Sequence, residues 1–102
     1  MYRGTTPTNT ISVDTDLTNM RVYVTYQQGG VNVIEKTNED ITIETDKVIV
    51  TLTQAETLGL QNRGKDVLVQ IRAITPGGVA IASNIMHTTV DGILKDGVIA
   101  YA

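Results

Sequence analysis

β-Branched side chains are the feature that most constrains how this chain can fold. Val, Ile and Thr together account for 39 of the 102 residues. Side chains branched at Cβ lose χ1 freedom in a helix but pack well on the pleated surface of a sheet. The sequence therefore predicts an all-β fold with an aliphatic core, and the length is that of a single domain, residues 1–102.

Composition also excludes several classes of protein. The chain contains no Cys, and its formal net charge is −3. Without cysteine, neither a disulfide framework nor a thiolate zinc site can form. A negative net charge is the wrong sign for a protein that binds a phosphate backbone, and no apolar run approaches the roughly 20 residues that span a bilayer. We therefore predict no nucleic-acid partner, no membrane partner and no cofactor.

Alternation of apolar and polar residues identifies the strands. In residues 20–27 every second side chain is apolar, which places Tyr23 and Tyr26 on opposite faces of the strand. About seven strands are predicted, and the last of them is bent near Ser83 and Asn84. They are residues 8–13, 20–27, 31–36, 41–45, 48–52, 66–75 and 79–90.

Short turns join neighbouring strands. Gly29-Gly30 can supply the two positive φ angles of a tight hairpin. Asp46-Lys47 has the spacing of a two-residue hairpin turn, although neither residue is Gly. Pro76-Gly77-Gly78 predicts a type II turn with Gly77 at the position where φ must be positive.

One short helical turn is predicted near residues 53–60. Thr53 and Glu56 have the spacing of a capping box, and Gly59 can end the helix in the left-handed region. Leu58 and Leu60 would then pack into the core between two sheets. Because immunoglobulin sandwiches cross between sheets at this point, the predicted architecture is an immunoglobulin-like antiparallel β-sandwich.

Motifs for catalysis are weak. Residues 59–66 match the phosphate-loop pattern G-x-x-x-x-G-K, but Asp66 stands where that motif needs Ser or Thr. The pattern also leads from a helical turn into a strand, the reverse of a phosphate loop. His87 is the only histidine, and no nucleophile and orienting group can be named beside it. We therefore predict that the chain is not an enzyme.

Calcium is the more plausible metal, because it takes oxygen ligands. Asp14, Asp16 and Asn19 lie in one loop, but Asn19 occupies the sixth position of the loop, where an EF-hand requires Gly. Solvated turn residues are the simpler interpretation, and no metal site is predicted. The alternative function to be weighed is a cell-surface or carbohydrate-binding sandwich assisted by calcium.

Two segments are candidates for contacts with other proteins. Tyr23 lies on the same strand face as Arg21, and Arg72 lies on the polar face of the strand at residues 66–75. Tyr is enriched at protein interfaces, although an ordinary solvent-facing Tyr fits the pattern as well. The C-terminal tail is unusually apolar for a chain end, and a free sheet edge could accept such a strand. Its candidate contact residues are Val98, Ile99 and Tyr101.

Four segments carry a resemblance to a known family. They are residues 3–8, 50–58, 69–72 and 78–85, which read RGTTPT, VTLTQAETL, VQIR and GVAIASNI. Together they resemble small phage and prophage proteins encoded among tail and baseplate genes in Gram-positive bacteria. They resemble more loosely the immunoglobulin-like N-terminal domain of phage baseplate upper proteins.

The resemblance implies a function for the chain. It implies a non-catalytic structural or assembly module of a phage or prophage tail or baseplate. Its partners would be other tail or baseplate proteins, or further copies of itself. Its location would be the virion, or the host cytoplasm during assembly. The chain differs from baseplate proteins in stopping after one sandwich.

Overall fold

Two antiparallel sheets face each other in the computed structural model of this chain, which describes residues 1–62, 64 and 66–102. The all-β sandwich predicted from the sequence is therefore confirmed. A 3₁₀ turn, Asn38–Asp40, and a helix, α1 (Gln54–Leu58), are the helical elements within the described residues. The strands there are β1 (Thr8–Ser12), β2 (Arg21–Gln28), β3 (Val31–Thr37), β4 (Ile41–Glu44), β5 (Lys47–Thr51), β6 (Val67–Ile74), β7 (Ala80–Ala82) and β8 (Met86–Thr88).

Strand order in the two sheets is immunoglobulin-like. One sheet has the order β1-β5-β4, and the other has the order β3-β2-β6-β7, with β8 also paired to β6. An immunoglobulin sandwich has the orders A-B-E-D and C-F-G, with C′ added in variable domains. Strand β1 takes the place of B. No strand within the described residues takes the place of A, so the outer edge of β1 is open.

The core between the sheets is aliphatic apart from one aromatic ring. Tyr26 is fully buried, and its hydroxyl accepts a hydrogen bond from the side-chain amide of Asn9 at 2.8 Å. Burial raises the pKa of Tyr26, and the bond from Asn9 offsets only part of this effect. The buried apolar side chains around it are Ile11, Leu17, Met20, Val22, Val24, Ile34, Val48, Val50, Leu52, Leu60, Val67, Val69, Ile71 and Ala73.

Two hairpins of the first half of the chain differ in how well the sequence predicts them. Gly29 and Gly30 have φ angles of 60° and 80°, so the predicted tight turn between β2 and β3 is confirmed. Between β4 and β5 the turn consists of Thr45-Asp46 and not of Asp46-Lys47, because Lys47 pairs with Glu44 in the ladder. This register keeps alternate residues of β5 inside the core, and a shift by one residue would turn them outward.

The predicted type II turn after β6 is wrong in detail. Gly78 has a φ of 91°, whereas Gly77 has no positive φ. The N–H of Gly78 donates to the carbonyl of Thr75 at 3.0 Å. This geometry is that of a type I turn followed by a left-handed residue, which suits the twist of a three-residue hairpin loop. Gly78, and not Gly77, therefore supplies the left-handed conformation.

The predicted bend of the last strand is confirmed as a break between β7 and β8. Ser83 bonds to Ile71 twice, since its N–H donates to the Ile71 carbonyl at 2.8 Å and its Oγ accepts from the Ile71 N–H at 3.0 Å. The same Oγ donates to the carbonyl of Asn84 at 2.9 Å. The side chain of Ser83 thus replaces a ladder bond, and the described part of the chain contains eight strands where about seven are predicted.

Helix α1 begins as the sequence predicts. Thr53 Oγ1 accepts from the N–H of Glu56 at 3.1 Å, and Glu56 Oε1 accepts from the N–H of Thr53 at 2.8 Å. Gly59 has a φ of −71°, so the expected left-handed end of the helix is wrong. A Cβ at this position would lie 3.2 Å from the carbonyl oxygen of Glu56, which favours Gly for space. Of the two leucines predicted to pack into the core, Leu60 is fully buried and Leu58 is half-buried.

Candidate interaction surfaces

The outer face of the five-stranded sheet brings together the three sheet residues singled out in the sequence. Tyr23 on β2 and Arg72 on β6 are direct cross-strand partners. Arg21 lies two residues before Tyr23 and pairs with Ile74. Side chains opposite each other on one sheet face lie about 5 Å apart at Cβ. The structure therefore places Arg21, Tyr23 and Arg72 in one patch, although their role in binding stays a prediction.

Apolar side chains that the sequence analysis did not single out extend this patch. Tyr23 is 48% exposed, Ile74 is 38% exposed and Ile85 is 53% exposed. Ile85 lies beside Arg72 and half-buried Leu68 in a shallow depression of about 350 Å³. Period-two alternation in residues 66–75 already places Leu68 and Ile74 on the outer face, so that signal could have found them. We call Tyr23, Leu68, Arg72, Ile74 and Ile85 the sheet-face patch, and Arg21 lies at its border beside Ile74.

Charged groups border the sheet-face patch. The Arg21 guanidinium donates two hydrogen bonds to the Glu39 carboxylate, at 2.8 and 3.2 Å. The hydrogen bond with Glu39, and then that with Tyr23, raise the pKa of Arg21. The same Arg21 bond lowers the pKa of Glu39. In the part of the chain that the structure describes, no carboxylate lies within ion-pair distance of Arg72, so its charge faces solvent.

The outer face of the three-stranded sheet has a different chemistry. Its exposed side chains are mainly hydroxylated, and Thr8 and Thr51 hydrogen-bond to each other through their hydroxyls at 2.9 Å. Thr10 and Thr42 are exposed on the same face. Half-buried Ile49 is its central apolar residue. Of the two outer sheet faces, the five-stranded one therefore carries the exposed apolar side chains Tyr23 and Ile74.

The apolar C-terminal tail contacts helix α1 and the N-terminal segment. The Gln54 side chain accepts from the N–H of Ile99 at 2.8 Å and donates to the Ile99 carbonyl at 3.1 Å. Arg3 Nη1 lies 3.6 Å from Asp96 Oδ1. Val98 and Tyr101 remain 64% and 108% exposed. The predicted tail residues are thus accessible, but these contacts hold the tail at α1 and not at the sheet-face patch.

Arg3 and Gln54 are contact residues that the sequence analysis missed. Arg3 donates from Nε to the Leu60 carbonyl at 2.7 Å and from Nη2 to the Leu58 carbonyl at 2.9 Å. These carbonyls lie at the C-terminal end of α1, where helix carbonyls lack partners within the helix. No local pattern in the sequence connects residue 3 with residues 58–60, because the contact depends on the tertiary fold.

The loop considered for calcium is occupied by its own hydrogen bonds. Asp16 Oδ1 accepts from the N–H and the hydroxyl of Thr18, at 2.9 and 2.6 Å. These bonds lower the pKa of Asp16. Asn19 adopts a φ of 63°, a conformation that Asn tolerates in turns. Among the residues that the structure describes, no three His, Cys, Asp or Glu side chains form a group that could hold a metal ion.

The structure locates His87 and part of the phosphate-loop-like pattern, the two catalytic motifs considered from the sequence. His87 is exposed on β8 and pairs with Leu68 on β6. The phosphate-loop-like pattern includes Arg63 and Lys65, which lie outside the described residues. Its neighbours on either side are α1 and β6, the reverse of the strand-to-helix order that a phosphate loop requires.

Comparison with known proteins adds no family to these observations. No protein-family model, no curated protein sequence and no solved structure matches this chain. Within residues 1–62, 64 and 66–102, no helix combines the length and hydropathy needed to cross a membrane.

Proposed function

We propose that this chain is a non-catalytic structural or assembly module that acts through protein–protein contacts. The observation that supports this proposal is the contrast between the two outer sheet faces. One is threonine-rich, whereas the other exposes Tyr23, Ile74 and Ile85 around Arg72. Exposed apolar patches with a polar border are typical of protein interaction sites.

The shape and residue types of the sheet-face patch favour a protein partner over a small ligand. Its depressions are shallow and open, whereas small-molecule sites bury most of the ligand surface. Tyr and Arg are enriched among the residues that dominate the affinity of protein interfaces. Tyr23 and Arg72 are cross-strand partners within the patch.

The particle to which the module belongs is proposed from the sequence resemblance. On that basis the partners are other proteins of a phage or prophage tail or baseplate. The chain would then be present in the virion, or in the host cytoplasm while particles assemble. The sandwich fold is compatible with this role, since its rigid sheets can present a fixed surface to a neighbour.

Copy number in purified particles tests the proposal. Particles from an induced lysate would be separated on a density gradient, and mass spectrometry would count this chain relative to a tail protein. We expect a fixed ratio for the unaltered chain. Truncation of an interface anchor costs about 2 kcal/mol or more, roughly 30-fold in affinity. Tyr23→Ser and Ile74→Ser should therefore each lower the ratio when the chain is supplied at a concentration that does not saturate its site.

Ile49→Ser is the matched control for Ile74→Ser. It makes the same chemical change on the outer face of the other sheet, and we expect it to leave the ratio unchanged. All variants would be compared by thermal melting to establish that they fold. Recovery of the unaltered chain only in the soluble fraction would contradict a role in the particle. Equal incorporation of the Ile74→Ser and Ile49→Ser chains would contradict the assignment of the sheet-face patch.

A further inference from the structure

Hydrogen bonds at the two ends of β1 establish which of its backbone groups are unpaired. The N–H of Leu52 donates to the carbonyl of Pro7 at 3.0 Å, and the N–H of Val13 donates to the carbonyl of Asp46 at 2.8 Å. Pro7 and Val13 flank β1 and continue its register with β5, and both are odd-numbered. Residues of an antiparallel pair alternate between bonding toward the partner and pointing away from it. The backbone groups that point away from β5 therefore belong to Thr8, Thr10 and Ser12.

The C-terminal tail has an unpaired edge of the same kind. Gln54 occupies both backbone groups of Ile99, so one side of the tail is already bonded. Residues 98–102 contain no turn or bend. In an extended segment, neighbouring residues direct their backbone groups to the opposite side. In a strand conformation, with Ile99 bonded to Gln54, Val98 and Ala100 would present their N–H and carbonyl groups on the side away from α1.

Apolar surfaces accompany both edges. Between β1 and β8 lies an open cleft of about 170 Å³. Its floor consists of buried Ile11, Tyr26 and Val69, and half-buried Met86 and the polar residues Asn9, Thr10, His87 and Thr88 form the rest of its lining. Space of this size can accept a single side chain. In the tail, Val98, Ile99 and Tyr101 are 64%, 55% and 108% exposed. A strand placed beside β1 would thus pair backbone groups and bring the exposed side chains of the tail against half-buried Met86.

We propose that residues 97–102 of a second copy of this chain add to the open edge of β1 as an extra strand. The added strand would take the position of strand A of an immunoglobulin sandwich, which no strand within the described residues occupies, and its side chains would cover the cleft beside β8. This inference rests on the proposed function in placing the chain in an assembly. It concerns a different surface, so the two can fail separately.

A second copy fits this edge better than the chain's own tail. In one molecule the tail is already held at α1 by Gln54 and at Arg3 by Asp96. That arrangement leaves one edge of the tail and one edge of β1 unpaired at two separate places. Two copies can satisfy both edges without breaking either contact. Edge strands with unpaired backbone groups are templates for pairing with another chain.

Sedimentation velocity of the full chain across a range of concentrations tests the proposal. We expect association that increases with concentration and is lost on deletion of residues 97–102. Thr10→Pro should also abolish it, because proline removes the outward N–H at a position where an edge strand tolerates proline. Thr10→Val keeps that N–H and should associate as the unaltered chain does.

Ile99→Asp should weaken association at least tenfold, whereas Leu94→Asp, an equally charged change outside the segment, should not.

Amide hydrogen exchange identifies the occupant of the edge. We expect the Thr10 amide to exchange rapidly at low concentration and slowly in the associated state. A chain that remains monomeric at every concentration would overturn the proposal, as would association that survives both the deletion and Thr10→Pro. Slow exchange of Thr10 in a monomer would also overturn it, since the chain's own tail would then be the occupant. None of these results would alter particle incorporation through the sheet-face patch, which the Ile74→Ser and Ile49→Ser chains test independently.

Discussion

At the scale of single residues, the turn between β4 and β5 contains a strained conformation. Thr45 has a φ of 51°, which is rare for a β-branched residue because its Cβ approaches the following carbonyl. We expect Thr45→Gly to raise the free energy of unfolding by about 1 kcal/mol, since glycine adopts this conformation without the clash. Urea denaturation measures the change. Asp46→Gly, at the neighbouring position without a positive φ, is the control and should lower stability or leave it unchanged.

The same turn shows which backbone details the sequence can predict. Gly29-Gly30 could be identified because glycine is the residue that two positive φ angles require. Thr45 could not be identified, since the pairing of β4 with β5 forces its backbone into a conformation that threonine disfavours. Gly78 was missed in favour of Gly77 because both glycines can take either position, and only the hairpin twist distinguishes them. Local preference therefore predicts a turn where it agrees with the register, and fails where the register is set by core burial.

At the scale of elements, the first turn of α1 depends on an ionised carboxylate. Glu56 accepts from Lys36 Nζ at 2.8 Å as well as from the N–H of Thr53. Burial is the largest single influence on the pKa of Glu56, and it opposes ionisation of the carboxyl. The hydrogen bonds from Lys36 and Thr53 together outweigh burial and hold this pKa below its usual value. A carboxyl with a lowered pKa stabilises the fold above its unfolded pKa, and that stabilisation is lost as the pH falls through the folded pKa.

We therefore expect Glu56→Gln to destabilise the fold in a pH-dependent way. The loss should be about 1 kcal/mol at pH 7, as for other helix caps. It should shrink as the pH falls below the unfolded value of about 4.3, because the unfolded chain then takes up a proton that the folded carboxylate does not, and it should vanish below the folded pKa, where the parent carboxyl is protonated in both states. Chemical denaturation at several pH values measures this difference. Glu44→Gln, an exposed change on β4, should cost less than about 0.5 kcal/mol; a pH-independent loss in Glu56→Gln would contradict the assigned role of the charge.

The elements also show where sequence reasoning stops for the candidate site. Alternation placed Tyr23 outward and Tyr26 inward, and both placements agree with the structure. It could not show that Tyr23 and Arg72 are cross-strand partners, since 48 residues separate them and strand pairing is a long-range property. The open edge of β1 could not be predicted from the sequence either, because an edge is defined by the strand that is absent beside it.

At the scale of the whole molecule, Arg3 connects the two ends of the chain to the end of α1. Met1 and Arg3 pair with Asp91 through backbone bonds of 2.8 and 3.1 Å. The Arg3 side chain adds two bonds to carbonyls of residues 58 and 60 and an ion pair with Asp96. The radius of gyration is 14.6 Å, somewhat above the value of about 13 Å for a compact chain of this length.

Arg3→Lys tests whether this connection depends on the guanidinium or only on its charge. A lysine ammonium is a point charge on a flexible stem, whereas the planar guanidinium directs separate N–H groups at separate acceptors. We expect Arg3→Lys to lower the free energy of unfolding by about 1–2 kcal/mol, the cost of losing a partly buried hydrogen bond to a charged group. Arg72→Lys, the same change on an exposed sheet face, should stay within about 0.5 kcal/mol of the parent. Because Asp96 is exposed, Asp96→Asn should also cost less than about 1 kcal/mol.

If Arg3→Lys and Arg72→Lys unfold at the same urea concentration, charge alone suffices at residue 3. The two carbonyl bonds at the end of α1 would then contribute nothing to holding the ends of the chain together.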